Sequence, residues 1–494
     1  MTDITTNVLL LAAVAILGWG LVRARSLGKL GILAWSQSVS LMAPWLILFG
    51  LMSAGVVVNL ASILLLLVVA VVVYILLGRS LRKLALQNPP ATPLAPDPQE
   101  PPIALTQVTM ANGPSAPMVE PTEPPPITGD DLQIIKGIFG IDSFFATETI
   151  PYQDGVIFKG NLRGESEVVW IQLTQKLEKV LGDRYRLFLV QNPKERPVVI
   201  ILPSSNDPKP STVPQKVLAV GLLLGTLVTC CATAGALLQF DLFEHFERLS
   251  ETIPMGLGLF SVLVVHEIGH QVMARYHQVK LSWPFFLPAL QLGSFGALNR
   301  FESLFPNRTV LFDVAFAGPA AGGIYSLFLL IVGLVLSSPN SLFKIPSLFF
   351  QGSILVGTLA RVVLGDSLQG NTVGVSPVMV VGWIGLVITA LNLMPAGQLD
   401  GGRAIQAIYG RRTAGRTTVV TLIFLGIASL VNTLALYWAA IILILQRDLE
   451  RPSQNELTEP DDARAALLLL ALFLMITVLI PLTPSLAGRL GIGM

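Results

Sequence analysis

This chain is short of charge. Asp, Glu, Lys and Arg supply 13% of its residues, about half the share of an ordinary soluble domain. Its 32 Lys and Arg against 31 Asp and Glu leave a formal net charge of +1, so no long-range field draws in nucleic acid or another polyanion. Cysteine is scarcer still. Cys230 and Cys231 are the only two, adjacent and inside an apolar run. Neighbours in sequence make neither an ordinary structural disulfide nor a metal knuckle, and they read as packing residues. The N-terminus lacks the Lys or Arg of a secretory leader, carrying Asp3 instead, and lacks the Arg- and Ser-rich look of an organelle transit peptide. MTDITTNVLLLAAV therefore reads as a retained first transmembrane helix. Histidine is rare too, at four residues, which gives any histidine cluster weight.

What the chain has is apolar sequence: 52% hydrophobic residues and a mean hydropathy of +0.68. Crossing roughly 30 Å of hydrocarbon takes about 20 helical residues. Runs of that order near 7–22, 32–51 and 55–77 predict a three-span N-terminal unit over 1–86. The stretch 87–127 turns polar and proline-rich (NPPATPLAPDPQEPP, then EPTEPPP), a semi-rigid linker. Over 128–213 the pattern is that of a small soluble domain, with GVIFKG, RYRLFLVQ and RPVVIILP as strands and ESEVVWIQLTQKLEKVLG as an amphipathic helix, a β-α-β-β unit. Membrane character returns over 214–494. Spans are expected near 217–238, 254–276, 311–337, 377–396 and 463–482, and 417–445 fits either one tilted helix or two broken near Asn432. The expected fold class is a polytopic α-helical membrane protein of about eight to ten spans. A small cytosolic α/β domain stands between its N-terminal unit and its catalytic helices. Arg23, Arg25, Lys29, Arg79, Arg82, Lys83, Arg275 and Lys280 mark the cytosolic side, and the acidic loop with Asp241, Glu244, Glu247 and Glu251 the far side.

The chemistry concentrates in HEIGH. On a helix His266 and His270 lie one turn apart on one face, as two ligands of a single tetrahedral Zn²⁺ require, and Glu267 flanks the metal as general base. The alternative is a chance match on a core helix. Three ionisable groups in a segment such as LGLFSVLVVHEIGH, however, cost several kcal/mol unless they face a cavity or a metal. A catalytic zinc needs a third protein ligand. His245, in the acidic loop, and His277, near the helix end, read as exposed or interfacial. Asp400 in LNLMPAGQLDGG is the better candidate, because Pro395 and Gly397 break the helix just ahead of it at membrane depth. Read alone, an Asp-Gly-Gly after a span is an ordinary interfacial turn.

HEIGH, then AGPAAG at 317–322, then LNLMPAGQLDGGRA at 391–404, resemble in order and spacing the site-2 protease family of intramembrane zinc metalloproteases, over the last half of the chain. The resemblance implies Zn²⁺ held by His266, His270 and Asp400, Glu267 as base, and Asn392 positioning the substrate backbone. It implies a membrane-embedded protein substrate, a single-span helix cut within the bilayer, in regulated intramembrane proteolysis or membrane-protein turnover. GNLRG at 160–164, ahead of the catalytic spans, is similar to the plant and cyanobacterial branch typified by the ethylene-dependent gravitropism-deficient and yellow-green proteins. That resemblance implies a cyanobacterial or bacterial plasma or thylakoid membrane, while Arg275 and Lys280 are expected to set the site toward the cytosol. By itself GNLRG also reads as a strand-to-helix turn; functionally, Asn161 and Arg163 would touch a substrate, a nucleotide or the catalytic domain. The segment SWPFFLPALQLGSFGALNRF at 282–301 resembles that family's membrane-associated hairpin, which pairs with an unfolded substrate strand. The chain departs from the best-known bacterial members in having no recognisable PDZ-like insertion and a longer loop from Met394 to Asp400. Two other functions fit some of these features: a catalytically silent membrane chaperone or scaffold of the same fold, and a prenyl-peptide-type membrane zinc protease, whose third ligand is a glutamate from a later helix. Nothing in these motifs bears on oligomeric state.

Overall fold

The computed structural model of the 494-residue chain describes residues 17–18, 20–25, 28–53, 66, 69–70, 73–74, 76–78, 80–81, 127, 129–192, 196–430, 432–446 and 448–492. Of the expected N-terminal unit, the middle span is helix α1 (Gly28–Ser53). The spans expected at 7–22 and 55–77 fall largely outside the described residues, and the linker falls outside them up to residue 126.

The small sheet domain comprises α2 (Gly129–Gly137), β1 (Phe144–Tyr152), β2 (Gly155–Leu162), α3 (Ser166–Leu181), β3 (Tyr185–Gln191) and β4 (Pro197–Pro203). The strands form one antiparallel sheet in the order β1-β2-β4-β3. In α3, Val169, Leu173, Leu177 and Leu181 recur every fourth residue and are all buried, one apolar stripe against the sheet. The helix stops at Gly182, whose φ of 61° is cheap only for glycine. Phe144, Phe158, Leu187, Leu189, Val199 and Ile201 complete this core. The unit is thus β-β-α-β-β with a leading helix, where the sequence pattern predicts β-α-β-β. The extra strand, FFATETIPY, carries a bulge between Ala146 and Glu148 that breaks its alternation.

The remaining elements are α4 (Val213–Leu237), α5 (Leu249–Tyr276), the hairpin β5 (Phe285–Ala289) and β6 (Gly293–Leu298), α6 (Arg308–Val335), β7 (Phe343–Pro346), α7 (Ile354–Leu364), β8 (Thr372–Val375), α8 (Pro377–Asn392), α9 (Asp400–Ala428), α10 (Thr433–Ile441), α11 (Asp462–Leu479) and α12 (Pro484–Arg489). Among the described residues, four helical segments are long and apolar enough to cross a membrane: Val213–Leu237, Phe246–Tyr276, Arg308–Val335 and Asp462–Leu479. Pro377–Asn392 and Leu434–Gln446 are shorter apolar helices. Val217, Leu224, Ile324 and Phe328 stand exposed on the long helices, as lipid-facing side chains do. This is a mostly helical membrane protein with a small sheet domain. The 417–445 stretch resolves into two helices, because Asn432 accepts from the Leu434 amide and caps a new start.

Small residues set the spacing of α6 and α8. A Cβ on Gly382 would stand 2.3 Å from the Leu330 nitrogen, so α8 and α6 touch backbone to backbone there. The sheet domain is docked. Residues 454–456 lie between β3 and the chain ahead of α6: the Leu189 amide donates to Gln454 O at 2.7 Å and the Glu456 amide to Leu189 O at 2.9 Å. On the other side the Gln454 and Asn455 amides donate to Phe305 and Pro306 carbonyls at 3.1 and 2.8 Å. A short stretch of backbone ladder thus ties the sheet to the membrane-embedded part.

Candidate metal centre

One turn of α5 brings His266 and His270 together, with their Nε2 atoms 3.2 Å apart. Asp400 closes the triangle, its Oδ2 lying 3.1 Å from His266 Nε2 and 3.4 Å from His270 Nε2. The two histidines and Asp400 are 7%, 2% and 8% exposed. Asp400 reaches them because α9 starts almost on top of the turn that ends α8. A Cβ on Gly401 would lie 1.9 Å from Leu393 O and one on Gly402 2.3 Å from Gly397 O. The Asp-Gly-Gly sequence is therefore what lets the helix begin there. The Gly397 amide donates to Thr418 Oγ1 at 2.8 Å and anchors the turn.

The donor set fits zinc. His270 Nδ1 donates to Val314 O at 2.7 Å, which leaves the Nε2 lone pair aimed at Asp400 and His266. Three electron-pair donors converging in a buried site call for a cation, and tetrahedral Zn²⁺ with bonds near 2.0–2.1 Å spaces its ligand atoms about 3.3 Å apart. The space is kept open by AGPAAG. A Cβ on Gly318 would fall 2.1 Å from His270 Nε2, and one on Gly322 would fall 3.0 Å from His266 Nδ1.

Two carboxylates compete for the third ligand position, since a Glu267 oxygen and the histidine nitrogens also lie within 4.8 Å of one another. Asp400 is nearer to both nitrogens, while Glu267 Oε2 is engaged elsewhere, accepting from Asn299 Nδ2 at 2.7 Å. Asn392 is buried beside the hairpin; its Nδ2 donates to Ile388 O at 2.9 Å and Phe295 O at 3.4 Å. The structure thus brings His266, His270 and Asp400 into one cluster with Glu267 alongside, and sets Asn392 against the hairpin. His245 stays exposed beside Glu247, and His277, more enclosed than expected, meets Asp313 at 2.9 Å. Cys230 and Cys231 are buried and unpaired.

Asn299 and Arg403 escape sequence reasoning. Arg403 pairs with Glu450 at 2.8 Å, both buried, and its guanidinium donates to the Asn299 carbonyl. The available signal was faint: a polar residue closing an apolar hairpin segment, and a cation three residues after Asp400.

A helical membrane protein that buries a two-histidine, one-aspartate cluster beside a glutamate held off it by Asn299 is of the zinc metallopeptidase class. Residues 255–432 match the model of peptidase family M50, and residues 133–209 match that of the EGY3 middle domain. Over 402 residues the chain is 35% identical to the probable zinc metalloprotease EGY1, chloroplastic, of Arabidopsis thaliana, covering 74% of this chain and 73% of that one. It is 37% identical over 368 residues to the probable zinc metalloprotease EGY2, chloroplastic, of the same plant, covering 73% and 66%. With the probable zinc metallopeptidase EGY3, chloroplastic, the identity is 33% over 361 residues, covering 68% and 63%. The chain therefore spans about two thirds of the length of these relatives. No solved structure matches it. The chain belongs to the M50 zinc metalloproteases, among the EGY proteins.

Proposed function

We propose that this protein is an intramembrane zinc endopeptidase that cuts transmembrane segments of membrane-protein substrates, in regulated proteolysis or turnover. The observation that carries this reading is the buried convergence of Asp400, at the start of α9, on His266 and His270, which stand on a helix long and apolar enough to cross a membrane. Those three side chains would hold a zinc ion, which would supply Lewis-acid polarisation of a water molecule and of the scissile carbonyl. Glu267, its Oε2 held by Asn299, takes one proton from the attacking water and returns it to the departing nitrogen. The C–N bond is replaced by a carboxylic acid and an amine, with no covalent enzyme intermediate.

A peptide bond inside a membrane helix is shielded by its own hydrogen bonds, so the substrate must unwind locally before it is cut. The β5–β6 hairpin gives the unwound strand a backbone edge to pair with. Asn392 grips that hairpin at Phe295, and the reading assigns it the alignment of the substrate backbone. The distribution of Arg and Lys directs the site toward the cytosol, in a plasma or thylakoid membrane. That the nearest carboxylate to both histidines is an aspartate speaks against the prenyl-peptide type, and the intact cluster speaks against a silent scaffold.

The test is co-expression with single-span membrane proteins. Glu267→Gln is expected to abolish cleavage while the purified protein keeps its zinc; cleavage that persists in that variant would sink the assignment.

A further inference from the structure

The base of this site is held by one hydrogen bond, and the residue that makes it is itself held. Asn299 is 8% exposed and donates from Nδ2 to Glu267 Oε2 at 2.7 Å, while its own Oδ1 has no partner among the described residues. A buried amide that leaves one end unsatisfied is a poor structural device; its useful end is the one on Glu267. The Asn299 main chain is fixed by Arg403, which donates to its carbonyl, pairs with buried Glu450 and lies 5.6 Å from the centre of the Phe301 ring. Arg403 follows Asp400 by three residues on α9. The same short helical stretch therefore carries a metal ligand and the anchor of the residue that orients the base.

The need for such a tether follows from distance. A Glu267 oxygen and the two histidine nitrogens lie within 4.8 Å of one another, and a free glutamate side chain at that range is itself a ligand for the ion it is meant to work beside. We propose that Asn299 is a positioning residue for the reaction, holding Glu267 as a base and off the metal. This rests on the reading of Glu267 as general base.

The experiment uses full-length protein in liposomes, a fluorogenic single-span model peptide that the wild-type chain cleaves, and the same variants loaded with Co²⁺ as a spectroscopic stand-in for zinc. Asn299→Leu keeps the volume and removes the donor; Asn299→Asp keeps the shape, sets a carboxylate against Glu267, and serves if the leucine variant does not fold. The expected result is a kcat lower by roughly 10- to 100-fold, as for loss of a group that orients a metal-site residue, at unchanged KM and full metal content. The visible Co²⁺ spectrum is expected to shift in the Asn299 variant and to stay unshifted when the same change is made in a Glu267→Ala background. An unchanged kcat, a loss carried by KM, loss of the metal in both variants, a spectrum that does not move, or one that moves equally without Glu267 would overturn the proposal. A Glu267→Gln protein that still cleaves would overturn the general-base reading and this inference together. An inactive Glu267→Gln beside a fully active Asn299 variant would overturn the inference alone.

Discussion

Each metal-site residue answers to a different range of the chain. His266, Glu267 and His270 are local: the spacing HExxH puts them on one helical face wherever the helix sits, and they were legible from five letters. Asp400 lies 134 residues away from His266, and its place depends on glycines that let α9 start against Leu393, a packing fact that no local pattern encodes. The helix break at Pro395 and Gly397 made it a candidate, and family resemblance pointed to it too, where periodicity could not. Asn299 is further from view, because its partner Glu267 is reached only through a hairpin whose register is set by tertiary contacts. Two expectations follow at this scale. Asp400→Ala should lower bound zinc well below one per chain, read by metal analysis of purified protein, whereas Glu267→Gln should not. Gly318→Ala should do the same as Asp400→Ala while leaving all three ligand side chains in the chain, since its methyl would press on His270 Nε2.

Among the elements, α9 does the most to connect the site. It begins with Asp400, carries Arg403, and holds a break at Gly410, where φ is 81°. The Arg403–Glu450 pair is buried on both sides, and removing one partner of such a pair leaves an uncompensated charge that costs about 3–5 kcal/mol. Arg403→Met should therefore lower the thermal midpoint in detergent markedly, and Arg403→Met combined with Glu450→Leu should recover much of it. Element reading from sequence succeeded where periodicity was clean, as in α3, and failed at β1, whose bulge hides the alternation. It left 417–445 undecided because the break depends on one cap, Asn432, rather than on composition.

At the level of the whole molecule, the sequence pattern raised the expectation of a small separate domain within the chain but not that residues 454–456 lock the sheet domain down. That contact joins positions far apart in the chain and uses backbone groups, which leave no residue signature. Burial raises the Glu456 carboxyl above its ordinary value, and it accepts from the Ser453 amide at 3.0 Å. A raised folded-state pKa means the stabilising proton is fully held below the unfolded value of 4.5 and is lost as pH rises through the folded value. Glu456→Gln should thus make docking of the sheet domain firmer at neutral pH and remove that pH dependence. Limited proteolysis of the 204–212 connection across pH reads this directly; a variant cut as fast as wild type at neutral pH would count against it.

The most direct test of the account as a whole is cleavage by purified protein in liposomes of a single-span substrate, with the cut bond located by mass spectrometry. The account predicts zinc-dependent scission at a bond within the hydrocarbon depth, absent with Glu267→Gln. Scission confined to the water-exposed flanks of the substrate, or undiminished in that variant, would contradict it.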